Sequence, residues 1–419
     1  MSRQASTTRK TTALLKNRLF RRLLAAQFSA MTVLYGLGLA GVVLVEERTH
    51  SSAQTGLAIL ASILPAFLGS LISGAVVDRW GRVRVLMASH LARALVALAF
   101  WVGIQLLPPE WTLILVYTVS AAAALFSQFA VPAELALLPD LAGQAHLMPA
   151  NTLYQFSMLL AEGLGIVFLG PLVIKLAGVP AVGLLGALLY LSALALVATL
   201  PRDQASAGSA GKKWSGWAAL GADLQAGWRT IARDHLLRLV ALQATLAAVL
   251  LLVLVSLVPG LASRHLGLST EDAPLLMLPG GVGFGLGAFL VNRWEGRLSR
   301  QGWIASGLTI VGMNIGLLAI LTGKGGEHCL LLSLISILGT GLALALVVIP
   351  SRTVLEECPP PRMRGRVIAA QLALSNAAAV LPLLMGGALA DRLGIQPVMG
   401  MLGLLAVGGG AVGLHYLRG

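Results

Sequence analysis

The chain has 419 residues, of which 57% are hydrophobic and 11% charged, with a mean hydropathy of +0.84. A soluble domain carries about 25% charged residues, so the composition excludes a large water-solvated core and points to a chain solvated mostly by lipid. The net charge of +13 is therefore read against membrane topology before nucleic acid is considered.

The chain starts basic and rich in Ser and Thr, with Arg3, Arg9, Lys10, Lys16 and Arg18. It then enters an apolar segment too long for the core of a signal peptide and lacking a small-residue cleavage site, so this segment is expected to be kept as a membrane span. Stretches of about twenty apolar residues can cross a bilayer. They fall at 20–44, 54–77, 84–106, 111–133, 151–174 and 179–200. Six more follow at 237–263, 271–292, 302–323, 328–350, 366–390 and 396–417. The expectation is an all-α integral membrane protein of twelve transmembrane helices, with an N-terminal half at 1–200, a linker at 201–235 and a C-terminal half at 236–419.

The linker opens with PRDQASAGSAGKK, a Gly/Ser/Ala-rich run. Beyond it Trp217, Leu220, Leu224, Trp228 and Ile231 recur at helical spacing, opposite Asp223 and Arg229. This stripe predicts an amphipathic helix lying in the cytoplasmic interface, the alternative being a polar linker with incidental tryptophans. With the N-terminus inside, twenty-four of the thirty Lys and Arg fall on cytoplasmic segments and five outside, leaving Arg93 within a span. That asymmetry is the positive-inside rule acting on both halves, and it removes the motive for nucleic-acid binding. Trp80, Trp111, Trp294 and Trp303 at span edges agree with it.

Between spans 2 and 3 the sequence reads SGAVVDRWGRVRV, a pattern Gly74-x-x-x-Asp78-Arg79-x-Gly81-Arg82-x-Arg84. Gly74 would admit a close neighbouring helix, Gly81 a tight reversal, and Asp78 could accept from free N–H groups at a helix start. A short cytoplasmic loop is often basic, but that alone does not explain Asp78 with glycines at these offsets. The spacing resembles the signature loop of the major facilitator superfamily, where it acts as a latch between two halves. The resemblance assigns that role to Gly74, Asp78, Arg79, Gly81 and Arg82.

The stretches NRLFRRLLAAQFSA (17–30), LLPDLAGQAHLMPAN (137–151) and PPPRMRGRVIAAQLALSNAAAVLPLLMGGALADRLG (359–394) are similar to the macrolide-efflux type of drug/proton antiporter in that superfamily. Lysophospholipid carriers and siderophore exporters share much of the pattern. The resemblance implies a secondary active transporter that exports a lipophilic or amphiphilic small molecule by alternating access, with a lipid flippase or uncoupled facilitator as the alternative. It places the protein in the plasma membrane with both termini cytoplasmic, as a monomer whose partners are the bilayer and its substrate. Within 359–394, Gly387-x-x-x-Asp391-Arg392-x-Gly394 repeats the loop's offsets on the outer side, as a turn or a gate, while the counterpart after span 8 has Asn292 in place of Asp.

Charges inside a span are costly and mark function by default. Arg93 lies nine residues past Arg84 and Glu162 eleven past Asn151, about 13–17 Å into their helices at 1.5 Å per residue. Both are candidates for proton coupling, Glu162 as a carboxylate that gains and loses a proton, with a structural Arg93–Glu162 ion pair as the competing reading. Departures from the family are that Gly170-Pro171 is followed by Leu172, Val173 and Ile174 instead of paired glycines, and that span 1 has no acidic residue. The family's cavity-lining helices suggest Gln27, Tyr35, Gln128 and Gln243 as substrate contacts, or else as hydrogen-bonding glue between helices. The clusters GGVGFGLG (280–287) and GGG (408–410) fit hinging or close packing.

An enzyme is disfavoured: the sequence has no H-E-x-x-H, no G-x-S-x-G and no Cys/His cluster, its histidines being scattered at 50, 90, 146, 235, 265, 328 and 415. Cys329 and Cys358 are too few for a disulfide framework. There is no phosphate-binding loop for ATP, so no cofactor or metal is expected and a proton gradient is the expected energy source.

Overall fold

The structure, a computed structural model, describes residues 14–143, 146–201, 216–294, 296–324, 329–360 and 362–416. Twelve of its helices are long and apolar enough to cross a membrane. Each corresponds to one span expected from the sequence, most of them extended by a few residues, while the sixth ends at Ala198 instead of 200; a segment in hydrocarbon must satisfy its backbone hydrogen bonds internally, and helices do so along their whole length. By contacts the chain divides into two compact units, 1–45 with 58–214, and 46–57 with 215–419.

The first unit contains α1 (Arg18–Thr49), whose last turn belongs to the second unit, and α2 (Ser52–Trp80), α3 (Arg82–Leu106) and α4 (Thr112–Ala142). It continues through α5 (Leu147–Gly163), α6 (Gly170–Ala177) and α7 (Val179–Ala198). Between α5 and α6 the chain passes through a π-helical segment, Leu164–Leu169. Pro171 explains the change of pitch: it has no N–H to donate to the Val167 carbonyl and its ring crowds that oxygen, so the turns before it widen. Helix α7 lies against α3 and α1 where glycines leave room. A Cβ on Gly183 would lie 2.9 Å from both Ala97 O and Trp101 N, and one on Gly186 2.8 Å from Val33 Cγ1. Phe20, Leu23, Leu86, Phe100, Leu138, Tyr154 and Tyr190 are the largest apolar or aromatic members of the unit's core.

The second unit contains α8 (Gly216–Arg233), α9 (His235–His265), α10 (Met277–Arg293), α11 (Arg300–Lys324), α12 (Cys329–Glu357), α13 (Arg364–Leu393) and α14 (Ile395–Tyr416). Small residues again set the contacts: Cβ atoms on Gly283 and Gly287 would overlap the Leu338 and Leu342 carbonyl oxygens of α12. In the same run, Gly281 and Gly285 face open space. Alternate members of GGVGFGLG are therefore packing residues, the small-residue logic of membrane helix pairs.

The linker helix forms as expected, and its C-terminal half packs on α13. A Cβ on Gly227 would overlap the Arg366 carbonyl of α13, Ile231 is buried, and Trp228 packs on the unit's core. Leu224 is half-buried and Arg229 exposed, while the side chains of Trp217, Leu220 and Asp223 lie outside the described set, as do residues 202–215. Among the described residues of the stripe, Trp228 and Ile231 pack on the core of the second unit.

Asp234 caps α9 by accepting the Leu237 N–H at 2.9 Å. Beyond α12, partial burial pushes the exposed Cys358 thiol upward, the Asp234 and Glu357 carboxylates add to this, and Arg300 opposes it.

Gly283→Ala should lower stability by about 1–3 kcal/mol through overpacking. Gly285→Ala should be neutral or stabilising by up to about 1 kcal/mol through chain entropy, as read by thermal unfolding in detergent. In a Cys329→Ser background, alkylation of Cys358 should have its pH midpoint above about 8.5, the value of a free thiol. Asp234→Asn, which keeps a capping oxygen, should move that midpoint down.

Candidate functional site

The first unit buries an extended set of polar side chains. Arg93 on α3 is fully buried; its Nη2 lies 2.9 Å from His90 Nδ1 and its guanidinium carbon 4.9 Å from the centre of the Tyr190 ring on α7. An arginine can only donate, so His90 Nδ1 accepts and the His90 proton sits on Nε2. Across from them, fully buried Glu134 on α4 accepts a 2.7 Å hydrogen bond from the Tyr154 hydroxyl on α5, and it is within electrostatic range of Arg93. The ring of Tyr190 gives the Arg93 cation a favourable face, while Glu134 supplies the opposite charge that makes burial of a guanidinium tolerable. His90 Nε2, Arg93 Nη1, Glu134 Oε1 and the Tyr190 hydroxyl retain unused hydrogen-bonding capacity.

The sequence reading named Arg93 but passed over Glu134. The span read from the sequence, 111–133, stops one residue short of Glu134, whereas the helix runs through Pro132 and Pro139 to Ala142. Neighbouring helices can re-satisfy the carbonyls that proline frees inside a bundle. The available signal was the run AVPAELALLPDLA, in which Glu134 has apolar neighbours at helical spacing.

Glu162 is placed elsewhere. It is exposed in the last turn of α5, two residues before the π-helical segment, and its hydrogen-bonding partner is the half-buried Tyr35 of α1. Arg93 and Glu162 are therefore not brought together. Arg93 has its own set of partners, and helix rotation, which the sequence does not encode directly, decides which residues meet. Beside the π-helical segment, Gly165 and Gly170 sit closely enough on α1 that a Cβ on Gly165 would be 3.1 Å from Tyr35 Cβ, and one on Gly170 2.9 Å from Leu39 Cδ2. A recess lined by Thr32, Gly36, Gly165, Gly170 and Gly186 lies beside them.

The four glutamine and tyrosine candidates divide. Gln243 is buried and used at both ends, accepting from Gln301 Nε2 at 2.8 Å and donating to Gly409 O at 3.0 Å. Gln27 is buried and accepts from Ser157 Oγ at 2.7 Å. Both join helices. Tyr35 and Gln128 are half-buried, Gln128 donating to Ser127 Oγ at 3.3 Å.

In the signature loop Gly81 takes φ 86°, a backbone conformation that an L side chain resists, so the reversal between α2 and α3 depends on glycine. Asp78 and Arg79 are exposed in the last turn of α2, Gly74 is exposed one turn earlier, and Arg82 pairs with Asp140 at the end of α4. The N-cap of α3 is Gly81. No group of three His, Cys, Asp or Glu among the described residues forms a metal site.

Twelve apolar spans, a glycine-dependent loop between spans 2 and 3, and charge buried in the span interiors define a polytopic membrane protein of the transporter class. The model of the Major Facilitator Superfamily matches residues 23–382, and the chain belongs to that superfamily. It is a transporter and not an enzyme.

Among curated relatives, the enterobactin exporter EntS of Salmonella typhimurium is 31% identical over 186 residues, 44% of each chain. EntS of Shigella boydii is 32% identical over 145 residues, 34% of each chain. The matched region thus spans less than half the length of these exporters. Among solved structures, a bacterial homologue of the lysosomal transporter Spinster superposes with a TM-score of 0.72 at 15% identity, covering 96% of this chain and 98% of that one. A bacterial homologue of the iron transporter ferroportin gives 0.71 at 16% identity, covering 94% and 98%. These likenesses establish the fold.

Glu134→Ala, which strands Arg93 in the core, should cost about 3–5 kcal/mol of stability. Glu162→Gln, at an exposed position, should cost less than about 1 kcal/mol. Thermal unfolding of the two purified variants checks the contrast.

Proposed function

We propose that the protein is a proton-coupled exporter of a lipophilic or amphiphilic small molecule, of the macrolide-efflux type, in which Glu162 exchanges the proton. The observation that carries this reading is the place of Glu162. An exposed carboxylate, hydrogen-bonded to Tyr35, stands at the entrance to a π-helical segment that ends at Gly170-Pro171. Single π-turns inside α-helices concentrate at functional sites, and a carboxylate that is reachable and hydrogen-bonded to a hydroxyl can take up and release a proton without breaking the core. Export is supported by the relatives, whose printed function is the export of enterobactin.

In this reading Arg93 and Glu134 hold the first unit together, with Arg93 biasing the local potential instead of pairing with Glu162. Tyr35 and Gln128 remain the substrate contacts, since both are only half-buried, whereas Gln27 and Gln243 serve helix packing. The loop at Gly74, Asp78, Arg79, Gly81 and Arg82 latches one conformation, with the Arg82–Asp140 pair tying it to α4. The protein works as a monomer in the plasma membrane with both termini cytoplasmic, the orientation that the positive-inside bias favours.

The test uses everted vesicles with a pre-formed pH gradient and a panel of lipophilic compounds. Some compounds should dissipate the gradient with the wild type and at least about tenfold more slowly with Glu162→Gln, the loss expected when a coupling group is removed. If labelled lipid or drug crosses while no compound moves protons, coupling falls and an uncoupled facilitator or lipid flippase takes its place.

A further inference from the structure

The chain enters its first span through a short basic stretch that the fold holds in place. Leu14, only 3% exposed, packs into the core of the first unit, and residues 14–16 are helical. Asn17 then breaks the helix and anchors both sides of the break. Its Nδ2 donates to Leu141 O at the end of α4 at 2.8 Å, while its Oδ1 accepts the Leu19 N–H at 3.0 Å and the Phe20 N–H at 3.3 Å, which caps α1. Lys16, Arg18, Arg21 and Arg22 are thereby fixed around this anchor, the first three exposed and Arg22 half-buried.

Their arrangement is unfavourable for the protein alone. Arg18, Arg21 and Arg22 stand at i, i+3 and i+4, so like charges share one face of the helix. They also lie where the helix dipole disfavours cations, and the first turn of α1 holds no acidic residue. Among the described residues, none of the four is in an ion pair. Asp140, next to the Asn17 anchor on α4, is already paired with Arg82. Four preorganised cations therefore await an anion from outside the chain.

We propose that this stretch binds the headgroup of an anionic phospholipid, with the phosphate seated among Lys16, Arg18, Arg21 and Arg22 and the acyl chains running beside α1. Two N–H groups at the helix start are already used by Asn17, so the side-chain cations carry the recognition. Two features select a lipid over other anions. From Arg18 to Arg22 the axial rise is about 6 Å, so the charges form a thin band at the end of a membrane span, the level at which acidic headgroups meet juxtamembrane basic clusters. Beside the band Leu15 is 42% exposed, an apolar surface that an acyl chain covers and a free phosphate cannot. Because the fold fixes the cations before the lipid arrives, binding does not have to order a loose tail.

In the experiment, purified full-length protein in neutral detergent is mixed with phosphatidylglycerol or phosphatidylcholine, and bound lipid is counted by native mass spectrometry. The wild type should hold phosphatidylglycerol at least about tenfold more tightly than phosphatidylcholine. Arg21→Gln with Arg22→Gln should weaken phosphatidylglycerol binding by about tenfold or more. Arg229→Gln with Arg233→Gln, which removes the same charge from the exposed face of α8, should leave it unchanged. Equal loss in both pairs overturns the proposal, because binding then follows overall charge, and so does no loss in either.

A second arm uses the wild type alone, so that a variant that fails to fold decides nothing by itself. Phosphatidylglycerol with a photoreactive headgroup should cross-link within residues 14–22, and cross-links confined to other segments overturn the site. Inorganic phosphate, at matched ionic strength, should displace the lipid no better than chloride. Selective displacement by phosphate makes the site one for a free anion and overturns the lipid assignment.

Discussion

Every feature of this protein depends on the lack of water in the bilayer core. A backbone that cannot hydrogen-bond to solvent must close its bonds within each helix, so the chain becomes a set of long apolar rods. Once the rods exist, lipid tails compete equally well for their apolar side chains, and helices associate where backbones can approach closely. That is why glycines set the contacts of α7 with α3 and of α10 with α12. The same constraint makes each buried charge conspicuous, since an ion that hydrocarbon rejects must be given partners by the protein.

The protein meets that demand in two ways. In the first unit, Arg93, His90, Glu134, Tyr154 and Tyr190 form an internal polar set drawn from α3, α4, α5 and α7, with an aromatic face and a carboxylate offsetting the guanidinium. At the tip of the α1–α2 hairpin, the C-terminal end of α9 favours the Arg264 cation, Arg264 offsets the buried Glu46, and the N-terminal end of α2 favours the Asp391 carboxylate. The first arrangement leaves its charges without solvent and suits a fixed scaffold. The second keeps Asp391 exposed.

Much of the architecture could be read directly. The number and order of spans follow from runs of apolar residues, and the need for glycine at position 81 follows from the reversal between two helices. That Arg93 and Glu162 lie within helices was legible too; their partners were not. Glu134 lies one residue past the span read at 111–133, and α4 continues through Pro132 and Pro139 because neighbouring helices can serve the carbonyls that proline frees. Glu46 lies just past the span read at 20–44, whereas α1 continues to Thr49 with Glu46 buried against Arg264.

The sequence by itself determined the class of the protein, its twelve spans and the loop that marks its superfamily, because these rest on local properties: hydropathy, helical rise and the conformational freedom of glycine. Only the tertiary structure decided that Arg93 meets Tyr190 and not Glu162, that the linker helix packs on α13, and that Asp391 caps α2. Each of these depends on the rotation of one helix about its axis relative to a distant one. That rotation is set by the sum of many small packing contacts, which no single stretch of sequence carries.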